Sequence, residues 1–145
     1  MKAPLFRDDD EILAIGRGVA DLSLPKSRWT HAAHFAAALW LLTHAGQKDP
    51  TREMPRLIRA YNEATGVANT DSTGYHETIT QASLRAAANF LRNNPQLSLC
   101  AACNALLATA LGRSDWPLEY WSKPLLFSVA ARRGWVDPDL KPLPF

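Results

Sequence analysis

An all-α fold is what this sequence predicts, and three observations predict it. Apolar residues recur at helical spacing in segment after segment, the segments carry capping residues at their starts and glycine or proline at their stops, and no run of alternating β-branched residues bounded by turns occurs. At 145 residues the chain has room for one sizeable core, so a single helical domain over 1–145 is expected. Hydrophobic residues make up 47% and charged residues 21%, an ordinary globular balance that argues against disorder.

The first helix follows Asp8, with Glu11 three residues on as in a capping box, and Ile12, Ile15, Val19 and Leu22 as its apolar stripe. The second starts after Thr30, a good N-cap, and closes at Gly46. At about 100° per residue, His31, His34, Phe35, Ala38, Leu41, Leu42 and Ala45 share one face. The other side carries Ala33, Ala36, Ala37 and Trp40, so this helix is apolar almost all round and is expected at the centre of the core. A third runs from about Thr51 to Thr65, stopped by Gly66, with Pro55 near its first turn and Leu57, Ile58 and Tyr61 turned inward. Residues 67–74 read as a loop.

A fourth helix is expected from near Tyr75 to just before Pro95, with His76, Thr80, Ser83, Leu84, Ala87, Phe90 and Leu91 on its inner face. The fifth spans about Ser98 to Gly112. Shorter segments follow, one opened by Asp115 with Pro117 and another from Pro124 to Arg133, before an extended proline-containing tail over 138–145. The expected architecture is therefore five main helices with short C-terminal ones.

Charge and targeting narrow the function classes. Sixteen basic against 14 acidic side chains leave a formal charge of +2 with no basic run, which gives no electrostatic reason to expect a nucleic-acid or membrane-surface partner. The longest apolar run, residues 35–42, is far shorter than the roughly 20 residues of a bilayer span, and the N-terminus has no apolar segment of the secretory kind. A cytoplasmic location is the expectation. Two cysteines do not make a disulfide scaffold, and the Cys100–Cys103 spacing lies in an apolar helical pattern that favours buried core thiols over a redox pair.

The chemistry is expected at the histidines. His31 and His34 stand one helical turn apart on an apolar face, and His76 is placed in the first turn of the fourth helix. If these helix ends adjoin, three imidazoles converge, and three neutral nitrogen donors with an open position suit zinc, iron or another divalent transition metal. Glu77 would then be the general base or an outer partner, and Thr80 would orient His76. The same histidines could instead line a metal-free pocket for a small-molecule ligand, or simply bond backbone carbonyls in the core. Arg52, Arg56 and Arg59 on the third helix offer an anchor for an anionic group, although most are expected to be solvated. Trp116, Tyr120, Trp121, Phe127 and Trp135 crowd the C-terminal third, where they are expected to cover the core; the alternative is a homodimer or other interaction surface.

The motifs Trp29-Thr30-His31-x-x-His34 and Gly74-Tyr75-His76-Glu77-Thr78, with Tyr61-Asn62 between them, resemble those of a group of uncharacterised bacterial helical proteins. The stretches Leu126-Phe127-Ser128, Gly134-Trp135-Val136 and Pro138-Asp139-Leu140 resemble the same group. The resemblance implies a helical fold of bacterial origin and carries no activity with it. Beside the histidines, Thr80, Tyr61, Asn62 and Tyr75 are the candidate ligand-binding residues.

Overall fold

Seven α-helices and no strand make up the described residues, 5–145, of the computed structural model. Five helices are long: α1 (Asp9–Ala20), α2 (His31–His44), α3 (Pro50–Ala64), α4 (Glu77–Asn93) and α5 (Leu99–Leu107). Two are short, α6 (Lys123–Leu126) and α7 (Val129–Arg133), and 3-10 turns at Lys26–Arg28, Ala110–Gly112 and Trp116–Glu119 fill the connections. None of the helices is long and apolar enough to cross a membrane among the described residues.

The capping residues explain most of the boundaries. Asp8, Thr30 and Ser98 each accept a hydrogen bond from a first-turn backbone N–H, and so begin α1, α2 and α5. Ser122 and Ser128 do the same for α6 and α7, which divides the segment expected as one from Pro124 to Arg133. Helix α1 ends earlier than its apolar stripe suggested: Leu22 takes a left-handed φ of 68° and stands exposed. Helix α3 starts earlier, because Asp49 caps it and Pro50 occupies a first-turn position where a missing N–H costs nothing. Pro55 therefore lies in the helix interior.

Helix α2 is the central element, as its all-round apolar character predicts. Seven of its residues, from Ala33 to Leu41, are buried, four of them alanines that let neighbouring helices approach. It contacts α1, α3, α4 and α5. Against α1 the approach is close at Gly16, where an added Cβ would fall 2.2 Å from the Trp40 ring. The C-terminal third packs Trp116 and Trp121 into the same core, and Phe145 at the end of the tail meets Trp116 and Tyr120 edge to face. These rings cover the core as the sequence suggests, while Phe127 stays exposed.

The seat of Trp40 on Gly16 is open to test. Gly16→Ala should destabilise the protein by about 2 kcal/mol in urea unfolding, despite a helix-propensity gain of up to ~1 kcal/mol, because the added methyl must displace the ring. A neutral or stabilising effect would show that α1 and α2 are not so closely apposed.

Candidate functional site

The three inward histidines are each bonded to a different backbone carbonyl. His31 Nε2 donates to the Leu111 carbonyl at 2.8 Å, and His34 Nδ1 donates to the Thr30 carbonyl at 2.7 Å. His76 Nε2 donates to the Leu126 carbonyl at 2.6 Å. His76 is also the N-cap of α4 rather than a residue of its first turn: its Nδ1 accepts the Ile79 N–H at 3.2 Å. Both ring nitrogens of His76 are thus committed, and its orienting partners are Leu126 and Ile79 instead of Thr80. No group of three His, Cys, Asp or Glu side chains is placed to hold a metal among the described residues.

Burial holds two of these rings neutral. The apolar surroundings push His34 down to about 4, against the pull of the Thr30 carbonyl and with a further push from the charge of His31. Its ring lies stacked on Trp29 at 3.7 Å between centroids. His76 is likewise held below the ordinary imidazole range, first by burial and also by the charge of Arg132.

Tyr61 and Asn62 serve the structure. The Tyr61 hydroxyl donates to the Leu24 carbonyl at 2.7 Å in the core. Asn62 donates to Asn69 Oδ1, which also accepts the Tyr75 N–H, and so braces the loop that leads to Gly74. That loop turns tightly at Gly74, whose φ is 78° and where a Cβ would strike the Ala68 carbonyl oxygen at 2.4 Å.

Tyr75 and Glu77 do come together. The buried Tyr75 hydroxyl donates to Glu77 Oε1 at 2.5 Å, and burial pushes the phenol well above its ordinary value, so it remains a donor. Arg59 lies over the Tyr75 ring at 4.3 Å, the one arginine of α3 to reach this segment, while Arg56 pairs with Glu53. Glu77 also accepts from Gln81 Nε2 at 3.2 Å. The second donor of the same amide goes to the Thr51 carbonyl at 2.8 Å. Pro55 explains this last bond: it has no N–H, so the carbonyl four residues earlier lacks its helical partner and Gln81 replaces it.

Gln81 and Thr51 lie in the wall of a cleft that sequence reasoning missed. Leu42 of α2, Pro50 and Thr51 of α3, and Gln81, Leu84, Arg85 and Ala88 of α4 line it, with Trp135 closing one side; its volume is about 320 Å³. The walls are mostly apolar. Arg85 lies over the Trp135 ring at 4.0 Å and makes no salt bridge or side-chain hydrogen bond among the described residues. Beyond it the same Arg85 and Trp135 border a wider hollow of about 560 Å³, whose far wall is the tail from Asp137 to Phe145. Arg85 and Trp135 are fifty residues apart in the chain, and no local spacing signals their meeting.

The cysteines carry no comparable chemistry. Cys100 and Cys103 are free and buried. Burial pushes Cys103 up to about 12, and Cys100 is raised by burial and by the nearby Asp9, so its place in the first turn of α5 does not activate it. Comparison with protein-family models, with curated proteins and with solved structures finds no match.

The depressed histidines make a pH prediction. Folded His34 and His76 refuse a proton that the unfolded chain takes up near 6.5, so stability is fully present above that pH and falls as the pH drops toward 4. His34 alone should contribute on the order of 3 kcal/mol to this fall. Urea midpoints between pH 7.5 and 4.5 should therefore decline, and His34→Gln should flatten the decline; a slope unchanged by the substitution would contradict a half-buried His34 held neutral.

Proposed function

We propose that this is a small-molecule-binding protein whose site is the cleft between α2, α3, α4 and Trp135. The observation that carries the proposal is the cleft itself. Its volume of about 320 Å³ lies at the lower end of the roughly 300–1,000 Å³ usual for ligand pockets. It also has the usual composition of such a site, mostly apolar walls with few polar residues, Gln81, Thr51 and Arg85, among those that line it.

In this reading the histidines act as clamps and the binding is metal-free. His31 fastens the turn after α5 to the start of α2, and His76 fastens α6 to the start of α4. Glu77 is a positioning residue: it holds Gln81, and Gln81 in turn joins α3 to α4 along the wall of the cleft. The fixed backbone at this seam favours a preformed site, which spares a ligand the cost of ordering it.

Filling the cleft tests the reading. Ala88 lies half-buried in its wall, and Ala88→Trp should occupy the hollow while leaving the helical circular dichroism and the urea midpoint close to those of the parent. In an NMR screen of small organic compounds, hits on the parent should shift the Gln81, Arg85 and Trp135 resonances and should vanish in the variant. Hits that persist in Ala88→Trp, or that shift resonances elsewhere, would place binding outside the cleft.

A further inference from the structure

We infer that the cleft selects a small amphiphilic monocarboxylate, its apolar body held between Leu42, Leu84 and Ala88 and its carboxylate held by Arg85; the inference rests on the proposed function and names the ligand class. The reasoning starts from the state of the Arg85 guanidinium. The guanidinium carbon lies over the Trp135 ring, 4.0 Å from its centroid, a cation–π contact. A cation–π contact occupies no N–H donor in a hydrogen bond, so it leaves the guanidinium fork without an acceptor. None of them has an acceptor among the described residues, although Arg85 borders both the cleft and the hollow beside it.

None of the neighbouring charged side chains bonds Arg85 among the described residues. Asp137 accepts the Trp135 Nε1–H at 2.9 Å, and both oxygens of Asp139 are used by Ser122. Lys141 pairs with Glu119 across the tail. Glu77, behind the cleft wall, receives Tyr75 and Gln81. Arg85 is thus the one charged residue that lines the cleft, an exposed cation over an indole and next to an apolar hollow.

The chemistry of the ligand follows from that pairing. A planar guanidinium with its edge free matches a carboxylate in a two-bond fork. One cation matches one negative charge, and the α3 end that also lines the cleft adds no anion site, since Pro50 has no N–H and Asp49 already caps that turn. The apolar walls require the rest of the molecule to be hydrocarbon-like. Holding the guanidinium on Trp135 before the ligand arrives also removes part of the entropic cost of forming the fork.

Octanoate, octanol and octylamine share one chain and differ in the head group, so calorimetric titration of the intact protein with each separates the claims. Octanoate should bind at least tenfold more tightly than octanol, octylamine should bind least, and Arg85→Gln should erase the difference between octanoate and octanol. Arg85→Lys, which keeps the charge but loses the fork, should retain only part of the preference. Equal binding of octanoate and octanol to the parent, or a preference that survives Arg85→Gln, would overturn the carboxylate inference and leave the cleft as an apolar binding site. Failure of octanoate and octanol alike to bind, or binding of octanoate that Ala88→Trp does not block, would overturn the reading of the cleft together with the inference.

Discussion

The structure depends on how the C-terminal third, which is mostly short helices and turns, satisfies its backbone polar groups. Irregular chain carries carbonyl and N–H groups that no helix ladder pairs, and burying them unpaired is costly. The start of α4 supplies the partners. His76 donates to the Leu126 carbonyl, and the fully buried Thr78 donates to the Gly134 carbonyl at 2.8 Å while accepting the Val136 N–H at 3.2 Å. In return, Arg132 donates to the Gly74 and Tyr75 carbonyls. The segment from Gly74 to Thr78 is thus a docking joint, and its polar residues serve the joint.

What the joint delivers is Trp135. The Thr78 bonds fix the chain on both sides of this residue, at Gly134 and Val136, and the Trp121 Nε1–H adds a second bond to the Val136 carbonyl. Trp135 then lies against Arg85 two turns along α4 and closes the cleft. A second constraint shapes the opposite wall, where Pro55 strips a donor from α3 and Gln81 supplies it from α4. Both walls of the cleft are therefore held by polar contacts that begin in α4, while the central α2 contributes the apolar floor through Leu42.

The helices were legible from residues because their signals are local. Asp8, Thr30 and Ser98 act within one turn of themselves, so their roles follow from position, as does the burial of an alanine-rich α2. The start of α3 is less legible, since Pro50 and Pro55 both lie in the segment and proline is common in a first helical turn. The sequence marks the histidines as polar groups on apolar faces that need partners. What the pattern could not supply was the identity of those partners, because Leu111 and Leu126 lie 80 and 50 residues from the rings they bind. Convergence of three rings and separate engagement of three carbonyls look the same on a helical wheel. The cleft was invisible for a related reason: its decisive contact joins an exposed arginine on the outer face of α4 to a tryptophan in a loop, and neither has a periodic neighbour to announce it.

The claim that the joint builds the cleft is tested most directly by NMR of the Arg85 side chain in the parent and in Thr78→Val. Valine keeps the volume of Thr78 and removes its bonds to Gly134 and Val136. In the parent, the Arg85 side-chain protons should be shifted upfield by the face of Trp135; in the folded variant that shift should collapse as Trp135 leaves its seat. An Arg85 shift that is absent in the parent, or that is unchanged in Thr78→Val, would contradict the account.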